Sequence, residues 1–566
     1  MTRIAIDPIT RIEGHLRIEV EVSDGTVKDA WSTGTMFRGL ENIIQGRDPR
    51  DAWMFAQRAC GVCTTVHALA SVRAVEDALG ITIPANARLV RNVIGATQFV
   101  HDHVVHFYHL HALDWVDVVS ATTADPARVA TLQQSISPWK NNSASYFTTV
   151  LERLKTFVSS GQLGPFANGY WGHPAYTLTP EENLLFVAHY LEALEWQRGI
   201  VKVHAILGGK NPHPQTYVVG GMALRMANDS PTGLNRASLA TIRQQITGAK
   251  EFVDQVYIPD VTYIAGKYKD WASIGKGIGN YLVYGDFPDA TGAESSYVFP
   301  AGRIVGRDLS KVLPVDQAQI AETVAHSWYE YASDRALHPW EGETKPTYAG
   351  PPPPYETLEG YEKYSWLKAP RYEDEPYEVG PLARVLVAYA SGRQEFVSAV
   401  DGLISKLGVT KDALFSTLGR IAARALETQV LANRLGGWVD QLASNMDTGV
   451  LEVAATEKWE PASWPTDAQG WGFEEAPRGA LGHWVVIKDQ KVANYQLVVP
   501  STWNGSPRDE RGRRGAWEEA LVGTPVADPE QPVEILRTVH SFDPCMACAV
   551  HVYDPARGSG VQVRVL

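Results

Sequence analysis

The sequence predicts an α+β fold that is predominantly helical: a central bundle of long helices, an N-terminal β-hairpin or sheet region, and C-terminal strands and loops that close a metal site. Three observations predict it. Leu16, Ile18, Val20 and Val22 alternate with Arg17, Glu19 and Glu21 near the start, a strand period. Long middle segments repeat apolar residues at helical spacing. The chain's four cysteines fall as two Cys-x-x-Cys pairs at opposite ends, Cys60 with Cys63 and Cys545 with Cys548, so folding has to bring both ends together if they share one ion.

After the first strand, Asp24-Gly25 supplies tight-hairpin chemistry and Val27 begins the return. The first cysteine pair precedes a helical stretch, and Gly61 lets the backbone bend where two sulfurs must converge. From Pro84 to about Val118, Leu89, Val93, Ala96 and Val100 share one stripe of a longer-than-average helix. Further helices are predicted near 181–207, 312–335, 380–390, 394–407 and 410–444, the last strongly amphipathic. Residues 340–380, rich in Pro, Tyr and Glu, read as an extended surface excursion. The stretches 476–484 and 495–504 read as apolar strand or loop, and alternating Val561, Val563 and Val565 as a terminal strand. The divisions expected are 1–50 (β region), 51–80 (first cysteine turn and helix), 81–340 (helical core), 341–380 (excursion), 381–450 (bundle), 451–551 (second cysteine pair) and 552–566 (a terminal extension).

At 566 residues and 62.2 kDa the chain is long enough to bury a large core. A net charge of −13 argues against nucleic acid, which needs a basic face. No window approaches a membrane span, and the charged start MTRIAIDPITRIEGHL is not expected to act as an export signal.

Thiolates are the soft ligands that zinc, nickel, copper(I) and iron-sulfur centres select, and a two-residue gap lets both sulfurs of a pair face one metal. A structural zinc site usually joins pairs within a small knuckle, whereas here nearly the whole chain separates them. Redox dithiols and disulfides are the competing readings. His67 and His551 follow the two pairs closely, where an imidazole can orient a sulfur or hold a second ion. His101, His103, His106, His109 and His111 crowd the long helix, but amid Phe107, Tyr108 and Leu110 they read as buried histidines with hydrogen-bond partners rather than ligands.

Taken in order, RIEGHL (11–16), FRGLE (37–41), RACGVCTTVH (58–67), GGKNPHPQ (208–215), APRGALGHW (476–484) and DPCMACAVH (543–551) resemble the large, catalytic subunit of nickel-iron hydrogenases of the respiratory uptake type. The resemblance runs from the first strand to the last residues. It implies that all four sulfurs bind nickel, with Cys60 and Cys545 terminal and Cys63 and Cys548 bridging to an iron that carries CO and two cyanides. It implies reversible heterolytic cleavage of dihydrogen, with the proton taken at Cys545 and relayed by Glu13; without the resemblance, Glu13 reads as a salt-bridge partner of Arg11 or Arg17. Arg478 is implied over the open metal position, held by Asp102 and Asp543. Pro477, Leu481, Val499 and Pro500 are implied as a dry wall, Ser501 as a donor to cyanide, and His67 as a donor to a bridging sulfur. Glu41, the Leu497 carbonyl and His551 are implied to hold magnesium or iron. Residues 552–566 are implied to be a maturation extension, cut after His551 once nickel is in place.

All four cysteines being used, electrons must leave through iron-sulfur clusters on a partner small subunit. The resemblance further implies a maturation endopeptidase and nickel-insertion factors, a membrane cytochrome or quinone-linked acceptor, and the periplasmic side of the membrane, reached by export with the small subunit. Two alternatives stay open: the related quinone-site subunit of respiratory complex I, which generally lacks these cysteines, and a hydrogen-sensing member of the same fold.

Overall fold

A computed structural model describes residues 2–167, 169–333, 335–352 and 357–549. Strands Thr2–Ile6, Leu16–Ser23 and Thr26–Gly34 form an antiparallel sheet in that order. Asp24 and Gly25 turn its hairpin with φ of 54° and 66°, the mirror-image geometry that matches strand twist. Leu16, Ile18 and Val20 are fully buried, as their alternation predicts. Arg17 and Glu19 on the other face are buried too, because they pair with each other and Leu358 of the excursion donates its amide to Glu19.

Two helices form the spine. Ala85–Val105 continues through a π-turn at His106–His111, and it packs on Thr417–Asp447, the longest helix among the described residues. A buried ionic network joins them: His103 Nε2 lies 2.7 Å from Glu427, whose carboxylate also takes Arg384 at 2.6 Å. Helices Pro180–Ile200, Arg236–Phe252, Pro381–Ala390 and Gln394–Leu407 surround this pair.

The C-terminal sheet runs Asp467–Ala476, Gly479–Lys488, Lys491–Val498, all antiparallel. It lies on helix Val66–Leu79 so closely that a Cβ on Gly472 would stand 2.0 Å from the Ala70 carbonyl oxygen, and one on Gly470 2.3 Å from that of Ala74. Those glycines bring the sheet's hairpin tip, Pro477-Arg478, over the start of the helix that follows Cys60 and Cys63.

Three expectations fail. Residues 312–335 are not helical: Ile320–Thr323 is a strand paired with Ala369–Tyr372, preceded by a 3-10 turn at Gln317–Gln319. Pro314 and the β-branched Thr323-Val324 fit that extended course better than a helix. Nor is the 340–380 stretch all surface, since Tyr364, Leu367, Ala369, Tyr372 and Tyr377 are buried. Short strands and loops fill much of 269–340, so the core expected over 81–340 is helical only in its first part. The strand expected at Val561–Val565 lies outside the described residues, as does the whole 552–566 extension.

Candidate metal centre

Cys60 ends a short 3-10 turn, Gln57–Ala59, and leaves it in extended conformation, while the amide of Cys63 turns back to the Cys60 sulfur at 3.3 Å. Cys545 and Cys548 sit on the opposite strap, where Asp543 takes the left-handed conformation (φ 55°) that aspartate tolerates and Met546–Ala549 makes one helical turn. The Glu13 strand fastens that strap: its amide donates to Pro544 O and its carbonyl accepts from Met546 N at 2.6 Å. Gly14 follows at φ 82°, and a Cβ there would stand 2.6 Å from the Ala547 nitrogen, so the third glycine-dependent approach is the G of RIEGHL.

The four sulfurs converge. Cys60 lies 3.4 Å from Cys545, Cys545 3.1 Å from Cys548, Cys548 2.8 Å from Cys63, and Cys63 4.0 Å from Cys545. None is at the covalent distance of a disulfide, and all four are buried free thiols. Burial, then the neighbouring thiols, pushes Cys63 and Cys548 well above the ordinary thiol range. Cys60 goes the other way, its burial outweighed by hydrogen bonds from the other three thiols that hold it well below that range. Cys63 and Cys548 are the sulfurs that need a cation to stand as thiolates, and a soft transition metal fits the donor set.

Arg478 reaches over this cluster from the hairpin tip. Its Nε donates to Asp543 O at 3.0 Å, Nη2 to Asp543 Oδ1 at 3.0 Å and Nη1 to Asp102 Oδ2 at 3.3 Å. Gln98 and His101 hold the other Asp102 oxygen. Burial raises the Asp543 carboxyl while Arg478 opposes the rise. Leu481, Pro500, Ser501 and His67 line the cavity with Cys63, Cys545 and Cys548; Pro477 and Val499 are buried beside lining residues instead. Ser501 Oγ accepts the Cys545 amide at 2.9 Å, which leaves its hydroxyl hydrogen free for a second partner. His67 is pushed down to about 4 by burial, hence neutral, and its Nε2 is buried without a partner.

Glu13 is half-buried at the cluster's edge, its backbone bridged to that of Cys545. Desolvation, then the Cys545 charge, raises its carboxyl above the ordinary range. The arginines that a salt-bridge reading of Glu13 needs go elsewhere: Arg11 to Asp114 at 2.5 Å and Arg17 to Glu19.

Glu41 and Leu497 do meet, the Leu497 amide donating to Glu41 Oε1 at 3.0 Å. The other Glu41 oxygen accepts from Thr344 and faces Lys368 at 3.4 Å. His551, the third residue expected there, lies outside the described residues.

Sequence reasoning missed Arg38. Its guanidinium donates to the carbonyls of Arg58 and Ala59, just before the first pair, and of Ala547, inside the second, at 2.5, 2.7 and 3.1 Å. The helix histidines settle as expected: His106 bonds to the His540 carbonyl and His109 to that of Tyr190. His111, Asp114 and His540 could hold an ion by position, yet they form a hydrogen-bonded set with Arg11, Trp115 and the Thr10 carbonyl.

Four sulfurs from both ends of one chain, under a guanidinium held by carboxylates, define a metalloprotein whose centre is assembled in the folded core. A family model described as nickel-dependent hydrogenase matches residues 38–551, and one described as HoxL-like matches residues 3–32. The chain is 53% identical to the uptake hydrogenase large subunit of Bradyrhizobium diazoefficiens, covering 100% of this chain and 97% of that one. It is 51% identical to the hydrogenase-1 large chain of Escherichia coli K12, over 99% and 97%. Among solved structures, the Ni-Fe-Se hydrogenase of Desulfovibrio vulgaris Hildenborough in the reduced state superposes with a TM-score of 0.76 at 36% identity, over 97% and 100%. The chain belongs to the nickel-dependent hydrogenase family, as a large subunit. The hydrogen-sensing alternative draws no support from these names.

Proposed function

We propose that this chain oxidises dihydrogen as the catalytic subunit of an uptake hydrogenase and passes the electrons to an iron-sulfur small subunit. The observation that carries the reading is the convergence of four buried sulfurs beneath Arg478. Cys60, Cys63, Cys545 and Cys548 would hold nickel, with Cys63 and Cys548 shared with an iron bearing CO and two cyanides; when bound, this centre supplies the two-electron chemistry that splits dihydrogen. The donor set fits, and so does the orphaned His67 Nε2, which has a sulfur to donate to.

The protein's own part is proton handling and exclusion of water. Cys545 Sγ receives the proton, and Glu13 carries it outward, because a carboxyl raised by burial approaches a thiol in proton affinity and can pass a proton either way. Asp102 and Asp543 fix the fork of Arg478 over the reacting face, where a preorganised cation stabilises developing negative charge. Leu481 and Pro500, which line the cavity, would keep the diatomic ligands dry with Val499 and Pro477 packed behind them, and Ser501 would donate to cyanide.

Glu41, the Leu497 carbonyl and His551 hold magnesium or iron in this reading. A maturation endopeptidase removes residues 552–566 after nickel-insertion factors have loaded the centre. No helix of the described residues is long and apolar enough to cross a membrane. In this reading the small subunit hands the electrons to a membrane cytochrome or quinone-linked acceptor, and the complex works on the periplasmic side of the membrane. The test is infrared spectroscopy and hydrogen uptake on the complex purified with its small subunit. Bands of metal-bound CO and cyanide together with dihydrogen-dependent dye reduction are expected; a zinc-only protein without bands overturns the proposal.

A further inference from the structure

Behind the cluster a buried hydrogen-bond chain starts and ends on one helix. His67 Nδ1 lies 3.0 Å from His483 Nε2, His483 Nδ1 lies 2.7 Å from the Tyr495 hydroxyl, and that hydroxyl lies 2.7 Å from Ser71 Oγ. His67 and Ser71 are one turn apart on Val66–Leu79, while His483 and Tyr495 stand on neighbouring strands of the C-terminal sheet. All four side chains are buried, at 0 or 1% exposure.

Each link constrains the next. Thiolates only accept, so the unpartnered Nε2 of His67, in a cavity lined by Cys63, Cys545 and Cys548, is satisfied only if it carries the hydrogen. A neutral imidazole has one N–H, which makes His67 Nδ1 the acceptor and His483 Nε2 the donor. His483 Nδ1 must then accept the single hydroxyl hydrogen of Tyr495, so at the 2.7 Å contact between Tyr495 and Ser71 the Ser71 hydroxyl, which is free to rotate, turns to donate.

We infer that His483 and Tyr495 are positioning residues which lock His67 in the Nε2–H tautomer, and so sustain a hydrogen bond to a cluster thiolate. This rests on the nickel-iron reading of the site. A thiolate that loses a donor pushes more electron density onto the iron it shares, and the CO bound there stretches at lower frequency.

The experiment compares wild type, Tyr495→Phe, His483→Leu and His483→Gln, each purified as the complex with its small subunit, by infrared spectroscopy and by nickel retained under chelator challenge. Tyr495→Phe and His483→Leu should move the CO band to lower wavenumber and speed nickel loss by ~10–100-fold, the usual effect of removing such an outer partner. His483→Gln keeps an N–H facing His67 and should hold the wild-type band. Wild-type bands and retention in Tyr495→Phe, or a His483→Gln protein that tracks His483→Leu, overturn the inference. Tyr495→Phe removes one oxygen and carries the test even if His483→Leu fails to fold. Absence of CO bands from wild type would instead overturn the nickel-iron reading itself.

Discussion

In the proposed reading, Glu13 separates proton movement from metal binding at a single carboxyl. Glu13→Gln keeps the shape and the backbone clasp on Pro544 and Met546 but cannot carry a proton. The expected result is a fall in turnover of ~10²–10⁴-fold with the infrared bands of the centre intact, measured on the same preparation. Bands lost along with activity would show that Glu13 holds the site together instead. Cys63→Ser, by contrast, replaces a soft ligand with a hard one, and nickel content should drop with activity. The four cysteines of the candidate centre were legible because their spacing is chemistry: two Cys-x-x-Cys pairs need no neighbour to be recognised, whereas Glu13 and Arg478 stood out only through the family resemblance. Arg38, Lys368, His483 and Tyr495 were not, since each acts on a partner hundreds of positions away, as His483 does on His67 and Arg38 on Ala547. An isolated arginine in FRGLE carries no mark of the three carbonyls that it gathers.

The helix Val66–Leu79 and the strand Asp467–Ala476 place the cysteines and Arg478 relative to one another, and Gly472 sets their separation. Gly472→Ala drives a methyl into the Ala70 carbonyl and the Ala74 amide, backbone atoms that cannot swing aside. A loss of about 3 kcal/mol is expected, the upper end for overpacking, read by chemical denaturation. A change below about 0.5 kcal/mol would contradict the claim that this contact sets the spacing. Alternation and hairpin chemistry made the first sheet legible, and apolar periodicity made the long helices so. Residues 312–335 misled because their apolar spacing also suits a strand, and only the pairing with Ala369–Tyr372 decides between the two. Helices Pro126–Ile136, Ala144–Ser159 and Arg236–Phe252 went unpredicted although Asp125, Ser143 and Asn235 cap them and each buries one apolar face.

Across the whole molecule, buried carboxylates tie distant stretches of chain together. Glu518 accepts from the Ser32 amide at 3.0 Å and the Tyr364 hydroxyl at 2.9 Å, joining the N-terminal sheet, the middle excursion and the C-terminal region. Burial pushes its carboxyl up to about 7 from 4.5. Between those values the folded chain keeps a proton that the unfolded chain releases, so its contribution to stability is full below pH 4.5 and fades as pH rises to 7. The decline is on the order of 3 kcal/mol. Glu518→Gln should flatten the stability profile across that window, as followed by denaturant unfolding at a series of pH values; an unchanged slope would reject the assignment. The joining of both chain ends at one centre is a property of this scale too. Its possibility was legible in the cysteine positions, while the glycine contacts and the Glu13 clasp that make it happen were not.

X-ray absorption at the nickel and iron edges of the complex, purified with its small subunit, tests that convergence most directly. Nickel in an all-sulfur shell, with iron as a near neighbour beyond it, is the predicted result. Zinc in place of nickel, or nickel bound mainly by nitrogen and oxygen with no iron beside it, would contradict the account.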